Sequence, residues 1–315
     1  MVIGIDLGGM SAKAALLNGE RLEGKSRVVT SAENTAEETA IALAHLAMET
    51  AEKAGKRMED VQAIGIGAPG VVDSAHGNIV QWSNFHWKDV PLGALVEKYT
   101  GKKTFILNDA NAAALGEAKY GAAKQFSDSV LVTLGTGVGG GVVIGGKLFE
   151  GYRSAGTEIG HMVIRQDGEQ CTCGRKGCFE RYASASALIR LTREEMAGDR
   201  NSAMWKYAPS PEKADGRTVF LALREGDAAA KRVLDAYIAS LGEGVANLVN
   251  IFRPQAVIFG GGISAEGETL LAPLREYVYP RIYVSETYAP LELKCAELGN
   301  DAGLFGAAAY AFERL

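Results

Sequence analysis

Two short stretches of this chain are built the same way. Residues 3–9 read IGIDLGG and residues 131–137 read LVTLGTG: a buried apolar strand, a glycine turn, then a second strand. Each opens a strand-rich segment that passes into alternating helix and strand. A device used twice in this way predicts an α/β fold of two domains with related topology and a cleft between them. The expected division is a small N-terminal domain over residues 1–118 and a larger one over 119–302, with a closing helix, 303–315, packed back on the first. A chain of 315 residues is long enough for two such cores.

A third glycine turn, Gly260-Gly261-Gly262, ends an apolar run at 256–259. Strand-end turns of this kind present backbone N–H groups that cradle phosphate oxygens, with no Cβ in the way. The sequence contains no GxxxxGK[ST] loop. The glycine run at 135–141 leads into Val142-Val143-Ile144, which reads as strand. Both facts count against a Walker-type loop and against a dinucleotide-binding fold. Helical spacing of apolar residues predicts helices over 36–54, 92–99, 110–120, 183–196, 218–224, Ala228–Phe252 and 303–314. Residues 198–216, with Pro209 and Pro211, are expected to be loosely structured.

The segment 156–180 carries three of the four cysteines, Cys171, Cys173 and Cys178, with His161 just upstream. Soft thiolates plus one imidazole make a closed tetrahedral Cys3His set, the pattern of structural zinc. Gly174 and Gly177 let such a loop fold tightly round an ion. Nothing marks the chain for export, so reduced cysteines in a cytoplasmic setting are expected rather than disulfides. Glu158 and Glu180 flank the cluster and would be held beside it. A ligating histidine keeps its second ring nitrogen for another partner.

A net charge of −5 argues against general nucleic-acid affinity. No segment has the ~20 consecutive apolar residues of a membrane helix. Asn108-Asp109 opens a predicted helix, where Asp109 reads either as an N-cap or as a general base. His45 is expected to face solvent, and His76 and His86 to be structural. Trp82, Phe85 and Trp87 read as either core or the wall of a pocket, and Lys13 as a strand surface charge.

Taken together, Asp6-Leu7-Gly8-Gly9, the run Leu134 to Gly141, Gly160-His161 and Cys171-x-Cys173-Gly174-x-x-Gly177-Cys178-x-Glu180 resemble the ROK family. These are sugar kinases and sugar-responsive repressors of the actin-like ATPase superfamily. The resemblance covers nearly the whole chain. It implies two RNase-H-like domains closing on a hexose and ATP, with Mg2+ accompanying the nucleotide and zinc in the cysteine loop. It implies Asp109 as general base and Asn108, Gly70, Asn84, Glu158, His161 and Glu180 as sugar ligands. Asp6, Gly8, Gly9 and Ser11, then Thr136 and Gly137, match the phosphate loops, and Gly261 and Gly262 match the adenosine loop. His161, Cys171, Cys173 and Cys178 match the metal ligands.

The activity so implied is glucokinase, with N-acetylglucosamine, N-acetylmannosamine or fructose as alternative acceptors, in a homodimer or homotetramer. With the phosphate loop starting at Asp6, the repressors' N-terminal DNA-binding module is not expected. Where the family's first loop carries Thr, this sequence has Met10, whose thioether donates no hydrogen bond; Ser11 is the adjacent hydroxyl.

Overall fold

The computed structural model describes all residues, 1–315. Along the chain run β1 (Val2–Leu7), β2 (Ser11–Asn18), β3 (Arg21–Val29), α1 (Ala36–Lys53), β4 (Ala63–Ala68), β5 (Val71–Asp73), β6 (Asn78–Trp82), β7 (Trp87–Val90), α2 (Leu92–Thr100), β8 (Lys103–Asn108) and α3 (Asp109–Tyr120). There follow β9 (Ser129–Leu134), β10 (Val138–Ile144), β11 (Lys147–Phe149), α4 (Glu180–Ala183), α5 (Ala185–Gly198), α6 (Met204–Tyr207), α7 (Thr218–Leu223) and α8 (Ala228–Phe252). The chain ends with β12 (Ala256–Gly260), α9 (Glu268–Val278), β13 (Glu292–Cys295) and α10 (Ala302–Phe312).

Two five-stranded sheets repeat one strand order, β3-β2-β1-β4-β8 and β11-β10-β9-β12-β13. In the first, β1 pairs antiparallel with β2 and parallel with β4. The device repeated in the sequence therefore occupies the central strand of each sheet. A separate three-stranded sheet, β5-β6-β7, was not expected. The chain forms two compact units, one of Met1–Leu131, Gly141–Thr157 and Glu297–Leu315, the other of Val132–Gly140 and Glu158–Ala296.

In the first unit, β1 is apolar along nearly its whole length because helices cover the sheet on both faces. Ile3, Ile5 and Leu7 join a core with Leu43, Leu46 and Ala47 of α1. On the other face α10, rich in alanine, lies close to the sheet: Ala308 and Ala311 pack with Val2 and Ala63, while Ala307 and Tyr310 pack with Leu107 and Leu115. Helix α1 starts on a capping box, with Thr35 and Glu38 each satisfying the other's backbone N–H. Glu117, 1% exposed, accepts hydrogen bonds from the N–H groups of Ala122, Glu297 and Leu298 at 2.8, 3.2 and 2.8 Å. That buried carboxylate ties residues 297–298 to the end of α3.

In the second unit, residues 198–216 are more ordered than expected. Asp227 caps α8 through the Ala230 N–H at 2.7 Å. It also accepts from the Ala203 N–H at 2.6 Å and from Ser202 Oγ at 3.1 Å. One side chain thereby ties Ser202 and Ala203 to the start of α8, and Arg193 Nη2 holds the carbonyls of Glu212 and Ala214 at 3.0 and 3.4 Å. The helix expected over 183–196 is divided at Ser184, whose hydroxyl accepts from the Ala187 N–H and caps α5. No helix is long and apolar enough to cross a membrane.

Candidate functional site

The first unit presents a carboxylate corner. At the end of β8, Asn108 Oδ1 accepts the N–H groups of Ala110 and Asn111 at 2.9 and 3.2 Å, so Asn108, not Asp109, caps α3. Asn108 Nδ2 donates to Gly70 O at 3.2 Å, which joins two of the predicted sugar ligands. Asp109 is thereby freed from capping. Its Oδ1 accepts the neighbouring Ala110 N–H at 2.8 Å, and its hydrogen bonds come from backbone rather than side chains. Burial raises its pKa above the ordinary aspartate value, and the Ala110 N–H offsets part of that rise.

Asp6 lies on the same unit at the end of β1, and its pKa is also raised by burial; Lys13 lowers it and the charge of Asp109 raises it. A Cβ added to Gly303, in the first turn of α10, would come within 3.3 Å of the Asp6 carboxylate. The turn after Asp6 closes through the Gly8 N–H on Ser11 O at 3.0 Å, and Thr30 Oγ1 donates to Gly8 O at 2.8 Å. Met10 stands at its tip, 84% exposed. The half-buried Ser11 hydroxyl follows it and hydrogen-bonds no protein group.

Asn84 is exposed on the 3-10 turn Ser83–Phe85. The aromatics around it are core: Trp82 stacks on Phe85 with centroids 3.8 Å apart, and Trp87 stands edge-on to both. They hold the turn that offers Asn84 to solvent. His45 is exposed, as expected, and His76 Nδ1 pairs with Asp73 at 2.9 Å, a local structural bond.

The second unit holds the metal-type cluster. One donor atom each from His161, Cys171, Cys173 and Cys178 lies within 4.8 Å of all the others. Cys173 Sγ is 3.6 Å from Cys178 Sγ, and Cys171 Sγ is 3.7 Å from His161 Nδ1. These match the edges of a tetrahedron, about 3.8 Å for Zn–S bonds of about 2.3 Å. The loop geometry requires glycine at 177, where φ is +78° and a Cβ would sit 1.7 Å from Arg165 O. Phe179, fully buried, anchors the loop against α8, where Gly244 leaves room for its ring.

Burial pushes the Cys171 thiol up to about 12. A thiol so reluctant to ionise becomes a thiolate ligand when a cation takes the proton's place.

Glu180 is brought to this cluster. Its Oε1 accepts from Cys171 Sγ at 3.0 Å and lies 3.7 Å from His161 Nδ1. Its Oε2 approaches the β9–β10 turn so closely that a Cβ on Gly137 would be 2.5 Å away. Glycine at 137 is therefore a condition of the Glu180 position. Glu158 is exposed, and it meets His161 through the backbone, the His161 N–H donating to Glu158 O at 3.1 Å. Thr157, just before it, holds φ +63°, a strained setting for a β-branched residue, and donates from Oγ1 to Asn111 Oδ1 at 3.2 Å.

Thr136 is exposed on the same turn, and the Ala185 N–H donates to Gly135 O at 2.8 Å, linking the turn to the start of α5. Gly261 and Gly262 follow β12. Beside them is a mainly apolar cavity of about 370 Å3 lined by Ala185, Ile189, Arg217, Gly262, Ile263 and Glu266. The glycines were legible in the sequence, but the partners Ile189 and Arg217 were not, since no local signal links positions so far apart.

The ROK family pattern matches residues 2–314. The chain belongs to the ROK family. It is 42% identical to a glucokinase from Thermotoga maritima, covering 100% of this chain and 98% of that protein. It is 33% identical to a protein from a Caldicellulosiruptor species described as a putative xylose repressor, covering 98% of this chain and 77% of that one. Among solved structures, a ROK family glucokinase from Streptomyces griseus in complex with glucose and AMPPNP superposes with a TM-score of 0.82 at 35% identity, covering 99% of both chains. This ROK chain thus has the mixed α/β fold that its repeated glycine turns implied.

Proposed function

We propose that this chain is an ATP-dependent hexose kinase of glucokinase type, moving the γ-phosphoryl group of ATP to the 6-hydroxyl of glucose. The Asn108-Asp109 corner carries this reading. Asn108 takes over the cap, and Asp109 is left as a half-buried carboxylate biased toward accepting a proton. The likeness to the Thermotoga maritima and Streptomyces griseus glucokinases supports glucose as acceptor and ATP as donor.

Phosphoryl transfer asks for a positioned acceptor and neutralised charge. Asp109 takes the proton of the 6-hydroxyl as its oxygen bonds the γ-phosphorus and the bond to the bridging oxygen of ADP breaks. Asn108, Gly70 and Asn84 are the sugar ligands carried by the first unit, and Glu158, His161 and Glu180 those carried by the second. Gly8, Gly9 and Ser11, with Thr136 and Gly137, receive the phosphates on backbone N–H groups and hydroxyls. The apolar cavity beside Gly261 and Gly262 takes the adenine.

Asp6 would hold a hydration water of the Mg2+ that accompanies ATP, an ion that would supply charge neutralisation at the phosphates. The donor set fits zinc, held by His161, Cys171, Cys173 and Cys178. Since Nδ1 of His161 faces the thiols, Nε2 is the nitrogen left for a sugar hydroxyl. A homodimer or homotetramer, as the family resemblance implies, working in the reducing cytoplasm completes the reading.

Comparing kcat/KM for glucose, mannose, fructose, N-acetylglucosamine and N-acetylmannosamine tests the acceptor. Glucose is expected to lead. An acetylated sugar preferred a hundredfold would move the reading to a hexosamine kinase, and no turnover with any of them, alongside retained sugar binding, would make the chain a sensor.

The pH profile checks the base. Because burial raises the Asp109 pKa, the acid limb of kcat/KM should fall above the ordinary aspartate value of about 3.9. A limb at or below that value would assign the proton to another group.

A further inference from the structure

At the edge of the first sheet, four basic side chains surround a cavity of about 450 Å3: Lys13 on β2, Lys25 and Arg27 on β3, and Lys53 in the last turn of α1. The one carboxylate in its lining is Asp301, which Lys25 meets at 2.6 Å. Lys53 pairs along its helix with Glu49 at 2.6 Å. Lys13 and Arg27 form no ion pair.

The ladder makes this arrangement unfavourable by itself. Lys13 stands opposite Arg27 in the β2–β3 register and opposite Asp6 in the β1–β2 register. Like charges directly opposed across a pair of strands repel each other. Lys25, two residues from Arg27, adds a third cation on the same side of the strand. Lys25, Arg27 and Lys53 are exposed and Lys13 is half-buried, and the fields of the four cations add over the one cavity they line. A multiply charged anion relieves such a set best, because each of its oxygens can answer a different cation.

We propose that this cavity binds a phosphate-rich anion of the size of tripolyphosphate or a sugar phosphate. It shares no lining residue with the apolar cavity beside Gly262. The proposal concerns binding alone and does not depend on which sugar is phosphorylated.

Calorimetric titration of the full-length protein with tripolyphosphate, without Mg2+ or sugar, tests it. The double variant Arg27→Gln/Lys53→Gln is expected to weaken binding at least tenfold with an unchanged thermal midpoint. The charge-matched variant Lys103→Gln/Lys147→Gln, on exposed positions outside the cavity, should leave it within twofold. Glucose 6-phosphate, titrated in the same way, separates the two sources. Loss confined to tripolyphosphate assigns a linear phosphate chain, and loss confined to the sugar phosphate assigns a phosphorylated sugar. If Arg27→Gln/Lys53→Gln binds both anions as the unaltered protein does, phosphate is held only on the glycine turns and the proposal is overturned. Equal weakening by both double variants would reduce the effect to net charge and overturn it as well.

Discussion

Asp109→Asn should lower kcat by roughly 10²–10⁴-fold, the usual cost of losing a general base, with the dissociation constant for glucose changed less than about threefold. The same substitution should make the protein more stable at neutral pH. The folded-state pKa of Asp109 is raised by burial, so the fold favours its protonated form. Its contribution to stability is present below the ordinary aspartate value and is lost as pH rises through the raised one. At neutral pH the ionised carboxylate therefore weighs against folding, and asparagine removes that charge while its Oδ1 can still accept the Ala110 N–H. Each kcal/mol gained would raise Tm by about 1.5 °C in a chain of this size. The gap between variant and parent should close on acidification. Retained turnover would point to another base, and a lower Tm at pH 7 would contradict a carboxylate whose charge the fold disfavours.

Cys171→Ser should have the second largest effect. Cys171 is buried in the cluster, and its Sγ touches both Glu180 and His161. A serine hydroxyl is a poor zinc ligand, and the ion would be lost or loosely held. With the loop slackened, His161 and Glu180 lose their fixed orientation. Glucose affinity should fall about 10–100-fold, the range seen when groups that orient a metal site are removed. Nucleotide affinity should move less than about twofold, because the apolar cavity proposed for adenine is lined from α5 and the turn after β12. Metal analysis should show about one zinc per chain in the parent and a substoichiometric amount in the variant. Equal loss of both affinities would mean that the loop supports folding of the whole chain rather than the sugar site.

Much of this was legible in the residues because the signals are local. The run Val2 to Leu7 is apolar enough to be a strand covered on both faces, and Gly8-Gly9 ends it. Helix α8 was delimited correctly, Ala228–Phe252, since its 25 residues carry an unbroken apolar stripe. The cysteine spacing announced the donor set. What escaped depends on distant partners. The sheet β5-β6-β7 is made of strands of three to five residues, too short for alternation to show. Helix α9 holds Pro273 inside it, which forfeits one backbone hydrogen bond and hides the helical pattern. Residues 198–216 are held by side chains outside the segment, Asp227 at Ser202 and Ala203 and Arg193 at Glu212 and Ala214. At Asn108-Asp109 the sequence offered capping and catalysis as rival roles for Asp109, and geometry gave the cap to its neighbour.

A crystal structure of the protein with glucose and a non-hydrolysable ATP analogue tests the central claim most directly. The account predicts the glucose 6-oxygen within about 2.6–3.2 Å of the Asp109 carboxylate, with the other hydroxyls on Glu158, His161 Nε2 and Glu180. Glucose bound with its 6-oxygen turned away from Asp109, or held by none of the residues flanking the metal loop, would contradict it.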